Sequence, residues 1–219
     1  KQFERLGVDS ISQNYSLGLE QEVQPVDFLN LILQAGLDFL ESRTLVEAGT
    51  FVRERLRVIR LTPSVALADP WGITFLRPQF FIGLSGLGAT VFADPGAARQ
   101  VTKPYFFQFR QGLSRIQNLP FGSSAELKVE FQHPSRKLPA QRAFYLGGAN
   151  SVRGYPEADY LADSGILVNF DLVVPSFFIP STWQLPHSKT PLREQLSLVG
   201  FVDQGFGRLR GPSRLESPD

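Results

Sequence analysis

One arginine in a glycine-rich run offers the sharpest chemistry in this sequence. Phe144-Tyr145-Leu146-Gly147-Gly148-Ala149-Asn150-Ser151-Val152-Arg153-Gly154-Tyr155 leads through Pro156 to Asp163 and then into Ser164-Gly165. The pair Gly147-Gly148 allows the backbone to bend sharply. Arg153 then stands in the middle of a long connection, and loops longer than about 12 residues are uncommon and often functional. A guanidinium there can grip a carboxylate through two parallel hydrogen bonds. That is binding chemistry, and nothing beside it suggests catalysis. With 0 Cys there is no thiol nucleophile or thiolate metal site. His133 and His187 sit next to prolines and read as turn residues rather than ligands. Ser85-Gly86-Leu87-Gly88 lacks the strand-to-helix setting of a phosphate loop. No pair of acids has the setting of an acid/base couple. The expectation is a protein that is not an enzyme and carries no metal or cofactor.

The elements that must position Arg153 are strands, because the hydrophobic pattern has period two. In Asp27–Leu40, Leu29, Leu31, Leu33, Ala35, Leu37 and Phe39 share one face, with Ile32 and Leu40 as exceptions on the other. In Ser123–Gln132, Ala125, Leu127, Val129 and Phe131 oppose Glu126, Lys128, Glu130 and Gln132. Tyr105–Leu113, Gln79–Leu87, Gly165–Val174 and Leu196–Gly205 alternate in the same way, and Asp203 falls on a polar face. In Phe51–Leu61, Val52, Leu56 and Val58 oppose Arg53, Arg55 and Arg57. That arginine stripe either lines an interior or is a solvated face. Turn signals separate the runs at Ala68-Asp69-Pro70-Trp71-Gly72, Asp94-Pro95-Gly96, Asn118 to Gly122 and His133-Pro134-Ser135. Trp71, Tyr105 and Trp183 are candidates for membrane-interface anchors or for packing residues.

These runs match the roughly 9–11 residues of a tilted membrane-crossing strand better than the roughly 5–6 of a soluble one. No window supplies the roughly 20 apolar residues of a spanning helix. The 219 residues are 42% hydrophobic and 20% charged, which excludes a disordered tail. A formal net charge of +1 gives no basic field for nucleic acid. Period two alone fits both a membrane barrel with a lipid face and a soluble sandwich with a core face. Strand length favours the barrel. The start at Lys1 and the end at Leu215-Glu216-Ser217-Pro218-Asp219 read as those of a trimmed piece.

Leu146-Gly147-Gly148, Ser151-Val152-Arg153-Gly154-Tyr155, Asp163-Ser164-Gly165 and, later, Phe201-Val202-Asp203-Gln204-Gly205 together resemble the barrel signature of the two-partner secretion transporters. These are the TpsB or ShlB/FhaC/HecB-type haemolysin secretion/activation proteins, within the BamA outer-membrane superfamily. Gln132, Leu138-Pro139 and Phe144 fit the same run-in more softly. The resemblance implies an all-β fold, part of a sixteen-stranded transmembrane antiparallel β-barrel. Residues 1–219 would be a partial barrel, with an in-folding loop at about 147–164 and with POTRA domains and the last strands outside the chain. It implies that Arg153 pairs with Asp203 inside the barrel, with Val152, Gly154, Tyr155, Phe201 and Gly205 around the pair and Gly147 and Gly148 as the hinge. A carboxylate on a polar face away from bulk water needs such a partner. Gly154 and Gly205 would permit close approach. Asp171 stands where many members carry glutamate.

The function expected is secretion of a large partner polypeptide, of adhesin or haemolysin type, through a monomeric barrel in the bacterial outer membrane without ATP. The partners are that client and outer-membrane lipid, not nucleic acid. The alternatives are a factor that assembles other outer-membrane barrels and, from different classes, a passive porin, an outer-membrane enzyme or a soluble β-sandwich binding module.

Overall fold

A computed structural model describes residues 8–46, 51–93, 103–185, 188 and 190–211. Alternating side chains give long strands. β1 (Val8–Val26), β2 (Leu29–Val46) and β3 (Phe51–Asp69) run 18 or 19 residues. Shorter strands follow: β4 (Gly72–Gly83), β5 (Thr90–Ala93), β6 (Phe106–Asn118), β7 (Ser124–Pro134), β8 (Phe144–Leu146), β9 (Tyr160–Ala162), β10 (Ser164–Pro175) and β11 (Ser197–Arg208). The one α-helix among the described residues is the single turn α1 (Leu192–Gln195).

Every pairing is antiparallel, in the order β1-β2-β3-β4-β6-β7-β10-β11, with β5 also on β3. β8 and β9 form a separate small ladder. The sheet is open, since β1 and β11 do not pair with each other. At one end lie the tight turns at Asp27-Phe28 and Pro70-Trp71, and also the long connection from β10 to β11. There Asp69 accepts a hydrogen bond from the Trp71 N–H at 2.8 Å and binds Arg115 from β6. At the other end the chain makes long excursions between β4 and β6 and, over residues 135–163, between β7 and β10.

That second excursion folds onto one face of the sheet and makes the two faces different. The open face shows Leu17, Leu19, Ile59, Ile82, Phe107, Phe131, Phe170 and Phe206 to the surroundings. Cross-strand ladders carry the polar set on the covered face: Arg110 opposite Gln132, and Lys128 opposite Asn169 opposite Asp203.

Several expectations need correction. β1 is absent from the sequence-derived runs, although it is a 19-residue strand. The Gln79–Leu87 run stops as a strand at Gly83, and β7 continues through His133-Pro134 where a turn was expected. In β3 the arginine stripe and the apolar residues are opposed as read, and of the two readings of the arginines the one in which they line the covered interior falls away. Leu56 and Val58 lie on the covered face, fully buried with Phe81, Phe106 and Leu138. Arg57 lies on the other face, over the Phe39 ring at 5.1 Å and on Glu41 at 2.9 Å. The reason is tertiary: the folded-in segment brings Leu138 against this end of β3, so apolar side chains find partners there. Leu40, an exception to the alternation of β2, packs on the same cluster. Asp94-Pro95-Gly96, His187, Lys1 and residues 215–219 lie outside the described residues.

Candidate functional site

The excursion first descends along the covered face. Arg142 reaches Asp38 on β2 at 3.5 Å and lies over the Phe81 ring at 4.5 Å. Asp38 is shared with Arg60 at 3.2 Å. Gln108 and Gln132, both fully buried, donate to the Arg142 carbonyl at 3.3 and 3.2 Å. Burial of this guanidinium lowers its pKa to about 10, and the neighbouring Asp38 opposes that shift.

At the tip the backbone reverses. Gly147 and Gly148 have φ of 102° and 101°, which only glycine adopts without strain. Tyr155 N–H donates to the Val152 carbonyl at 3.4 Å and Gly148 N–H to the Tyr155 carbonyl at 3.2 Å, so the tip closes on itself. This turn presents Arg153 to β10 and β11. Its Nε and Nη2 donate to the two oxygens of Asp203 at 2.7 and 2.6 Å, and its own backbone N–H adds a third bond at 2.9 Å. Nη1 donates to Asp171 at 2.6 Å. The guanidinium also lies 3.9 Å from the centre of the Phe201 ring.

Asn169 completes the arrangement. Its Nδ2 donates to Asp203 at 2.7 Å and to the Ser151 carbonyl at 2.6 Å. Asp203, Asp171 and Asn169 meet because β10 and β11 set Asn169 opposite Asp203 and Asp171 opposite Phe201. The Asp203 side chain is only 3% exposed, so its carboxylate is almost fully desolvated and needs these four donors. The two carboxylates, Asp203 first, raise the Arg153 pKa further above the ordinary guanidinium value. Arg153 therefore stays charged throughout the working pH range.

The remaining site residues divide. Val152 packs on the buried cluster of Phe144, Leu146, Ala162 and Leu167. A Cβ on Gly205 would come within 2.9 Å of Leu146 and 3.0 Å of Val152, so this glycine does permit close approach. Gly154 does not: a Cβ there would meet nothing within 4 Å, and the residue is needed for its φ of 92°. Tyr155 contributes backbone bonds while the residue remains 62% exposed. Of the suggested anchors, Trp71 and Trp183 are exposed and Tyr105 carries the guanidinium of Arg136 at 4.0 Å. Gly205→Val is expected to push Val152 outward and loosen the tip. Proteolysis of the intact full-length protein checks this, with cleavage between 147 and 158 at least several-fold faster than in the unaltered protein.

A second knot, at the feet of the excursion, carries no signal in the alternation. Asp163 is fully buried. One of its oxygens accepts from the Leu138 N–H at 2.7 Å and the other from the Arg210 N–H at 2.8 Å. It thereby ties the descending segment, the start of β10 and the end of β11. Asn169 and Asp171 could be recognised as polar-face residues, but their bonds to the tip depend on register.

The whole arrangement can hold a loop against a wall through charge-assisted bonds. Among the described residues no cluster fit to hold a metal ion is present. The comparisons agree with a barrel protein. The family model of the haemolysin secretion/activation protein ShlB/FhaC/HecB matches residues 70–207. Among solved structures, CdiB from Escherichia coli matches with a TM-score of 0.74 at 18% identity, over 95% of this chain and 37% of that one. That likeness is one of fold, and this chain spans only about a third of the CdiB length. No curated protein matches the sequence.

Proposed function

We propose, from the premise that this chain belongs to the haemolysin secretion/activation protein ShlB/FhaC/HecB family, that it forms part of an outer-membrane barrel passing a large partner polypeptide to the cell exterior. The client would be of adhesin or haemolysin type. Transport would proceed without ATP, drawing on folding of the client outside the cell. The open face, with its exposed Leu, Ile and Phe side chains, is the lipid-facing wall, as a barrel in hydrocarbon requires. The covered face is the interior. A closed barrel leaves no strand edge in lipid, so β1 and β11 pair with further strands of a longer, monomeric barrel.

The observation that carries this reading is the five-membered clamp of Arg153, Asp203, Asp171, Asn169 and Phe201. It fixes a loop across the interior, where a passive pore needs none. We assign it the role of a latch that holds the loop until a client displaces it. An assembly factor for other barrels would use the same clamp, so the test must separate the two. In a strain lacking the full-length gene, the partner protein should accumulate inside the cell while other outer-membrane barrels keep their normal levels. Undiminished partner secretion, or a general loss of barrels, would overturn the reading.

A further inference from the structure

The open face changes character abruptly at the end where the long excursions lie. On β7, β10 and β11 it is apolar as far as Phe131, Ile166 and Phe206, which are 37%, 38% and 61% exposed. One step further on the same face stand His133, Ser164 and Arg208. Next to them come Arg136, Lys137 and Arg210. These six residues line an open cleft of about 790 Å³.

The heads of Arg210 and Arg136 are arranged by neutral partners. Arg210 donates from Nη1 to the Ser135 carbonyl at 3.1 Å and from Nη2 to the His133 ring at 3.0 Å. The guanidinium of Arg136 lies on the Tyr105 ring, which also carries Lys103 at 5.6 Å. Arg208 is exposed. Among the described residues, none of these three arginines forms an ion pair with a carboxylate and no Asp or Glu lines the cleft. The His133 ring stacks parallel to that of Phe131, continuing the apolar surface up to the charges.

We infer that this cleft binds the phosphorylated headgroup of a glycolipid in the outer leaflet, with the acyl chains lying along Phe131, Ile166 and Phe206. The inference rests on the outer-membrane reading above, with the end that carries the loop excursions taken as the outer one, as in outer-membrane barrels generally. Guanidinium forks suit phosphate geometry, and basic clusters just outside a hydrocarbon band attract anionic headgroups. Continuity of the apolar wall with the cleft distinguishes an amphipathic ligand from a free phosphate, which would gain nothing from Phe131 or Phe206. The site would hold β7, β10 and β11 together at the rim beside the feet of the excursion, because it draws on all three strands.

Native mass spectrometry of the full-length protein in detergent tests this, with a bisphosphorylated acylated disaccharide as the probe. The same lipid without phosphates and inorganic phosphate alone serve as controls. The phosphorylated lipid should bind, and each control should bind at least about tenfold more weakly. The triple variant Arg136→Gln, Arg208→Gln, Arg210→Gln should lose at least about tenfold in lipid affinity, since each surface cation near a charged headgroup is worth roughly a factor of five. Arg208→Gln alone, at an exposed position, should show several-fold loss should the triple variant fail to fold. Equal binding of the dephosphorylated lipid, comparable binding of inorganic phosphate, or unchanged binding by the variants would overturn the inference. Partner secretion by the unaltered protein is followed in parallel. Secretion without phosphate-dependent lipid binding sinks this inference alone, whereas recovery of the protein in detergent-free buffer sinks the membrane reading itself.

Discussion

Replacing Asp203 by alanine in the full-length protein will reduce partner secretion to a few per cent or less while the barrel still assembles. The expectation follows from what the substitution leaves behind. Three donors of Arg153, including its backbone N–H, and the amide of Asn169 all end on the Asp203 carboxylate. After the change, Asp171 alone faces the guanidinium, through one hydrogen bond. Removing Asp203 leaves the Arg153 charge with one carboxylate in place of two. The tip then keeps one of the four hydrogen bonds that Arg153 donates to the wall, and the loop is mostly released. Asp203→Asn keeps one acceptor and should fall between the two. Heat-modifiable migration of the barrel reports assembly, and partner protein in the medium reports function.

Asp163→Ala is expected to do comparable harm by a different route. Its carboxylate is fully buried and serves two backbone N–H groups, those of Leu138 and Arg210, which then lose their acceptor inside the protein. A buried donor left without a partner costs about 1–3 kcal/mol, so the two together come to about 2–6 kcal/mol. The damage is to the feet of the excursion rather than the tip. Leu138 would leave its cluster with Leu56, Val58, Phe81 and Phe106. Thermal unfolding should therefore shift down for this variant, whereas Asp203→Ala should leave the main transition nearly in place. Asp163→Asn retains one acceptor oxygen and is expected to recover part of the loss. A transition unchanged in the alanine variant would show that Leu138 and Arg210 find other acceptors.

The contrast between these two aspartates shows what the sequence makes legible. Both lie within runs that resemble a known barrel signature, but only Asp203 also lies in a strand with clear alternation. Its face was readable, and so was the need for a cation. Asp163 precedes a strand and its partners are backbone groups 25 and 47 residues away in sequence. No periodicity encodes them. β7 was legible because Ala125, Leu127, Val129 and Phe131 alternate strictly with charged neighbours. β1 was not, because Gln13 and Gln21 break the apolar face that Tyr15, Leu17 and Leu19 continue. The face taken by Leu56 and Val58 in β3 was left open, because Leu138, which packs on them, lies about 80 residues away in sequence. Gly154 illustrates a right residue for a wrong reason: the type signals backbone freedom, and only coordinates separate a positive φ from a tight contact.

In the proposed reading, the Arg153–Asp203 pair holds one loop against the inner wall, and secretion depends on this hold. A double-mutant cycle with Arg153→Ala and Asp203→Ala, read as partner protein secreted by the full-length transporter, tests it most directly. Because the two side chains act through each other, the double variant should secrete no less than the worse single variant. Independent, multiplying losses in the double variant, or normal secretion from either single one, would contradict the account.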